Sequence, residues 1–281
     1  MECNAGEELN EEIGAQLPEG PLSPGVMEAR GVAFSYDGVN KVLENLDFSP
    51  QEGKITVLMG ANGCGKSTLL QLMTKNLYPD EGMITLRGTD IEDVKRKEFA
   101  RNVAIVHQNN TAPPDLTVER LVGYGRTPYL NAFQTAGNAE EDEEAVEWAI
   151  RVTDLSSVRN KCVAELSGGQ RQRVWLAVAL AQMTDVLFLD EPTTYLDIRY
   201  QAEILKLVRR LNREYKITII MVLHDINQAM EYGDVFVGMR GGKILVEGEP
   251  KEVVSEDVLY QLYGIRLPIA EVSGKKIVLT V

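Results

Sequence analysis

The stretch Gly60-Ala61-Asn62-Gly63-Cys64-Gly65-Lys66-Ser67-Thr68 decides how the rest of the chain reads. It fits the pattern G-x-x-x-x-G-K-[ST] and lies between an apolar run, Ile55 to Met59, and a stretch of helical spacing, Lys66 to Lys75. Strand, glycine loop and helix are the context in which such a loop binds phosphate. Glycines let the backbone wrap an anion closely enough for successive N–H groups to donate to it, and the helix that follows points its positive end at the same place. In this pattern Lys66 reaches the β- and γ-phosphates and Ser67 is a ligand for Mg²⁺. Cys64 reads as a small filler of the loop, reactive only if its thiolate is favoured there.

Outward from this loop, Val103 to Val106, Val186 to Leu189 and Ile217 to Leu223 repeat the apolar, non-alternating character of Ile55 to Met59. Runs of that kind suit strands covered on both faces. Gly169 to Gln182 and Ile198 to Tyr215 carry helical spacing, so strands and helices alternate and the expected fold is α/β with a mainly parallel sheet. Between Gln108 and Leu166 the character changes to a Pro-containing loop and helical segments near Val118 to Tyr124 and Glu140 to Thr153, which predicts a helical insertion, residues 109–165. Val235 to Met239, a turn at Arg240 to Lys243, and Ile244 to Glu247 read as a hairpin, and Lys275 to Val281 is strand-like. Val186-Leu-Phe-Leu-Asp190-Glu191 is a strand ending in adjacent carboxylates. Beside a phosphate loop, Asp190 is placed to hold the hydration shell of Mg²⁺ and Glu191 to polarise an attacking water.

The chain has 281 residues and a net charge of −13, enough length for a well-buried core without disulfides or metal clips. The charge is concentrated: residues 1–28 hold seven acids and no Lys or Arg, residues 140–147 hold six acids, and elsewhere acids and bases balance. A neutral body with acidic segments argues against nucleic acid as a partner. Residues 1–27, acidic and containing Pro18, Pro21 and Pro24, are expected to form a disordered tail ahead of a domain spanning 28–281. The longest apolar stretch is far too short to span a bilayer, and three cysteines without ligand spacing fit a reducing cytosolic compartment.

Leu166-Ser167-Gly168-Gly169-Gln170 lies about a hundred residues beyond the phosphate loop and about twenty before Asp190. With those two motifs it makes the sequence resemble the ATP-binding cassette ATPases, over roughly residues 26–250. The resemblance implies a P-loop NTPase core with an N-terminal antiparallel β part and a helical subdomain, hydrolysing ATP with Mg²⁺. It also implies that Ser167, Gly168, Gly169 and Gln170 face a nucleotide held by a second copy of the chain. On residue type alone Ser167 reads equally well as a helix N-cap, and both roles can hold together. The family's remaining motifs fall in order. Tyr36 looks like the aromatic that stacks on adenine, Gln108 like the glutamine touching Mg²⁺ and water, Leu196-Asp197 like the D-loop, and His224 like the switch histidine. By residue type Tyr36 reads as a strand aromatic, Gln108 as a loop amide and Asp197 as an N-cap, and it is order and spacing that favour the functional reading. His107 reads as incidental. Ala61 stands where proline is common in close relatives, and Tyr195 is bulky for the D-loop.

Gly123-Tyr-Gly-Arg-Thr-Pro-Tyr129-Leu and Glu191-Pro-Thr-Thr-Tyr-Leu-Asp-Ile-Arg-Tyr-Gln201 are similar to the branch of importer subunits serving iron–siderophore, haem and cobalamin uptake. The resemblance therefore implies a peripheral subunit on the cytoplasmic face of the cell membrane. Its partners would be a second copy in an ATP-dependent head-to-tail dimer, polytopic permease subunits and, indirectly, an extracytoplasmic solute-binding protein. An exporter's ATPase subunit, or one serving another solute, would share every catalytic motif.

Overall fold

The computed structural model describes residues 26–130 and 139–280. The expected acidic tail thus lies outside the described residues except for its last two, Val26 and Met27, which are buried at the start of the first strand. In chain order the elements are β1 (Met27–Ser35), β2 (Lys41–Phe48), β3 (Ile55–Met59), α1 (Lys66–Met73), β4 (Glu81–Leu86), β5 (Thr89–Asp90), α2 (Arg96–Phe99) and β6 (Val103–Val106). After α3 (Val118–Gly123), a 3-10 turn over Tyr124–Tyr129, and α4 (Ala139–Val152) come α5 (Gly168–Ala181), β7 (Val186–Asp190), α6 (Ile198–Tyr215) and β8 (Thr218–Val222). The chain finishes with α7 (Ile226–Tyr232), β9 (Val235–Arg240), β10 (Lys243–Gly248), α8 (Pro250–Val253), α9 (Glu256–Tyr263), β11 (Ile269–Val272) and β12 (Lys275–Val278).

Six strands form the central sheet in the order β10-β9-β3-β8-β7-β6, parallel throughout except for the β9–β10 hairpin. Its apolar runs are continuous because both faces are covered. Ile55, Val57 and Met59 pack with α5 and α6, while Leu58 and Phe188 point the other way, into a cluster with α1 and the inner face of β1 and β2. A one-residue register slip would exchange the two sets, so packing on both sides fixes the alignment. The second sheet, β2-β1-β4-β5, is antiparallel and sits over α1 as the β part expected at the N-terminus.

Helix α6 shows why local signals sufficed there. Asp197 caps its first turn by accepting from Tyr200 N at 3.0 Å, and Ile204, Leu205, Val208 and Leu211 make one buried stripe. Lys216, with φ of 58°, ends it by donating its N–H to Asn212 O at 2.9 Å. Parallel connection makes every strand of the sheet except β10 leave on the same side. The turns after β3, β6, β7 and β8 therefore meet at one edge, and register sets Leu58 and Asp190 on either side of Val222.

Candidate functional site

That edge gathers the residues marked by the sequence. After β3 the chain turns at Gly60, whose φ is 144°, and a Cβ there would lie 2.2 Å from the Met239 carbonyl oxygen of β9. Only glycine fits so close an approach. Gly65 ends the loop in a left-handed conformation with no side-chain cap, so the N–H groups of the first turn of α1 are free for an incoming anion. Ala61, Asn62, Gly63 and Ser67 are exposed along the loop, whereas Cys64, Gly65, Lys66 and Thr68 are buried. The Lys66 ammonium donates to Gly60 O at 2.8 Å and Ala61 O at 3.1 Å, and it is 3.8 Å from Cys64 Sγ. A cation is therefore stored inside the loop, its charge balanced by carbonyl dipoles.

Tyr36 stands at the end of β1, 62% exposed, with its ring edge-on to Phe34 and its hydroxyl 3.2 Å from Thr68 Oγ1. Its base is rigid: Asp37 accepts from Ser35 Oγ, Val39 N, Asn40 N and Asn40 Nδ2, and these bonds hold its carboxyl well below the usual carboxylate range. An open aromatic face on a fixed loop beside the phosphate cradle suits a planar base. Burial pushes the phenol of Tyr263 in α9, which the sequence did not mark, up to about 12, against a smaller downward pull from the Gly60 backbone.

Behind the loop, burial and then the charge of Glu191 raise the carboxyl of Asp190, while His107, Lys66 and a hydrogen bond with Ser67 pull it back. Asp190 Oδ1 is buried with no hydrogen-bond partner. An orphaned carboxylate oxygen beside a serine hydroxyl is a donor set for a small hard cation. Among the described residues no three His, Cys, Asp or Glu side chains cluster as a metal cage, so a cation here would complete its shell with phosphate oxygens and water. His107, read as incidental, is close enough to act on Asp190.

Glu191 follows in a left-handed conformation, φ of 52°, which is strained for a residue with a Cβ. The strain aims its carboxylate across the strand ends. Oε1 lies 2.6 Å from His224 Nε2, after β8, and Oε2 accepts from Gln108 Nε2 at 2.5 Å, after β6. Thr194 Oγ1 adds a bond to Oε2 at 2.9 Å. The structure thus brings Tyr36, the whole of Gly60 to Thr68, Gln108, Asp190, Glu191 and His224 to one sheet edge.

Ser167 to Gln170 are not joined to that cluster by any hydrogen bond. Ser167 instead caps α5, with its side chain accepting from Gln170 N at 3.3 Å while Gln170 Oε1 accepts from Ser167 N at 3.0 Å. Gly169 is pressed against Tyr200, whose ring would meet a Cβ at 2.3 Å, so the start of α5 is packed on α6 beside the Asp197 cap. A surface depression lies elsewhere, between α4 and the Tyr124–Tyr129 turn, lined by Arg126, Tyr129, Trp148 and Arg151.

The sequence profile described as ABC transporter matches residues 43–194, more than half of the chain and the span from β2 to Thr194. The chain belongs to this family. The ferric enterobactin transport ATP-binding protein FepC of Escherichia coli (strain K12) is 42% identical over 89% of this chain and 92% of its own length. The iron(3+)-hydroxamate import ATP-binding protein FhuC of Bacillus subtilis (strain 168) is 42% identical over 85% and 87%. The petrobactin import ATP-binding protein FpuC of Bacillus anthracis is 43% identical over 83% and 85%. Among solved structures, a chain of a metal-chelate type ABC transporter in an inward-facing conformation superposes with a TM-score of 0.77 at 25% identity, covering 90% of this chain and 95% of that one. A bacterial ABC transporter cassette solved as a dimer gives 0.68 at 28% identity, over 80% and 98%. The cassette described here is an ATPase by fold and family, and no helix among its described residues is long and apolar enough to cross a membrane.

Proposed function

We propose that this cassette hydrolyses ATP to power a membrane importer of ferric siderophores. One observation carries the hydrolytic part: Glu191 is held between His224 and Gln108 directly beside the phosphate loop. A carboxylate so fixed orients water for attack on a γ-phosphate seated over Lys66 and the first turn of α1. His224 contacts the same phosphate and keeps the carboxylate in register. The Lys66 ammonium turns from Gly60 O and Ala61 O toward the phosphate oxygens, and Tyr36 stacks on adenine. Ser67, Asp190 and Gln108 hold Mg²⁺ when it is bound, which supplies charge neutralisation of the phosphates. The names of the 42–43% identical relatives support the ferric-siderophore cargo.

No hydrogen bond joins Ser167, Gly168 or Gly169 to the phosphate loop of their own chain, which supports a site completed by a second copy in a head-to-tail dimer. Asp197 then lies in the loop that meets that copy. The part of the insertion around Gln108 to Leu130 is the face that moves with polytopic permease subunits, served in turn by an extracytoplasmic solute-binding protein. On this reading the cassette works at the cytoplasmic face of the membrane as a peripheral subunit. The test is to tag the Glu191→Gln chain in its native cell, solubilise membranes gently with ATP and Mg²⁺, and identify what co-purifies. A polytopic membrane protein is expected, together with loss of ferric-siderophore uptake in cells carrying only the variant. Recovery of ribosomes, DNA or nothing from the membrane would overturn the importer reading.

A further inference from the structure

Two glutamines to which the sequence assigns no role, Gln201 at the end of the stretch quoted from Glu191 and Gln228 outside every motif, connect the loops on either side of Glu191. Gln201, in the second turn of α6, donates from Nε2 to Leu196 O at 3.0 Å and to Thr193 O at 3.3 Å. Its Oε1 accepts from Gln228 Nε2 of α7 at 2.7 Å. Both side chains are half-buried. The amide of Gln201 has no freedom to reverse, because a flipped group would set its oxygen against two carbonyls and its N–H₂ against that of Gln228. Gln228 is fixed in turn by the N-cap Asp225, which accepts from its backbone N–H at 2.8 Å and directly follows His224.

The links close a ring. Glu191 bonds Thr194, the Thr193–Leu196 loop is held by Gln201, Gln201 holds Gln228, and α7 begins two residues after His224, which returns to Glu191 at 2.6 Å. β7 and β8 pair up to Asp190 and Val222, and beyond that pairing the side-chain hydrogen bonds that join the loop after β7 to the turn after β8, among the described residues, are the two amides and the Glu191–His224 contact. That contact is among the groups that must move around a reacting phosphate, so it cannot also serve as its own support. We propose that Gln201 and Gln228 are positioning residues for ATP hydrolysis, forming a strut that sets the distance between Glu191 and His224. This rests on the reading of Glu191 and His224 as hydrolytic residues. The strut acts on the chemical step and leaves nucleotide binding untouched, since neither amide touches the phosphate loop. Misplacing reacting groups by about 1 Å can cost up to a hundredfold in rate, so partial slackening is expected to cost about tenfold.

The experiment uses the full chain and compares wild type with Gln201→Met, Gln228→Met, the double variant, and Glu191→Gln as a control. Steady-state ATP turnover, KM for ATP and the thermal midpoint are measured for each. The expected result is a kcat lowered about tenfold in either single variant, with KM and midpoint near wild type, and a double variant no slower than the singles because both break one link. Gln201→Glu, which keeps the shape but loses both donors, should match Gln201→Met. Unchanged kcat in the singles, losses that multiply in the double, or losses that follow KM or the thermal midpoint would overturn the strut. If Glu191→Gln turns over at the wild-type rate, it is the hydrolytic reading that fails; if that control is inactive while the glutamine variants match wild type, only the strut fails.

Discussion

His224 Nε2 stands 2.6 Å from Glu191 Oε1, bridging the ends of β8 and β7 across a carboxylate whose backbone is held at a φ of 52°. A strained residue persists only where its surroundings over-determine it, and three side chains, Gln108, Thr194 and His224, grip this one. Removing one grip should release the aim of the carboxylate and spare the nucleotide's own contacts. His224→Ala is expected to lower kcat by about a hundredfold, within the range for a positioned acid–base partner, with ATP affinity changed less than threefold. Turnover assays paired with equilibrium nucleotide binding check both halves.

Lys66 is 5% exposed and spends its ammonium on Gly60 O and Ala61 O. Lys66→Ala deletes the only cation the loop itself offers a phosphate. ATP binding is expected to weaken by about a hundredfold, ~2.7 kcal/mol, in line with charge-assisted hydrogen bonds lost from a buried site. Titration with a fluorescent ATP analogue reads this directly, and unchanged affinity would remove Lys66 from the phosphate site.

Tyr36 separates stacking from hydrogen bonding. Its exposed ring is expected to contribute ~1–3 kcal/mol of base stacking, so Tyr36→Ala should weaken ATP binding by between five- and a hundredfold. Tyr36→Phe loses only the contact to Thr68 Oγ1 and should stay near wild type. Equal losses in the two variants would show that the hydroxyl, and not the ring, carries the effect.

Asp190 works against stability in the nucleotide-free chain, because burial and the adjacent Glu191 raise its carboxyl and Oδ1 has no partner. An acid raised on folding costs stability when ionised. The cost is full above its folded value and vanishes as pH falls below the unfolded one. Asp190→Asn should therefore raise the thermal midpoint of the nucleotide-free protein at pH 7, and the gap to wild type should close toward pH 4. The same variant should lose the extra stabilisation that ATP with Mg²⁺ gives wild type, a trade expected where function holds an unfavourable charge. Calorimetric scans with and without nucleotide, across that pH range, decide it.

The central sheet was legible because its strands are covered on both faces, so Ile55–Met59 and Val103–Val106 stand out as apolar runs with the bounds seen in the structure. The two-faced N-terminal sheet was not legible from pattern: β1 carries register shifts between Ala29 and Ser35 that break its alternation, and only the family resemblance implied it. Helix α7 has seven residues, too few for a period to show, and its Asp225 cap reads as an ordinary loop acid. Around the phosphate loop, Glu191 was marked by its place at the end of an apolar strand, and Gln108 and His224 by order and spacing. Thr194, Gln201 and Gln228 were not, since a hydroxyl or an amide that binds a distant partner has the same sequence as one that faces water. Asp197 and Ser167 show the converse, because each is an N-cap in this chain whatever else it does.

The most direct test of a hydrolytic site built around Glu191 is a comparison of the wild-type and Glu191→Gln chains with ATP and Mg²⁺, measuring phosphate release and molecular mass together. The account predicts steady phosphate release from wild type, almost none from the variant, and an ATP-held variant with twice the 31.2 kDa mass of one chain. Phosphate release by Glu191→Gln at the wild-type rate would contradict it.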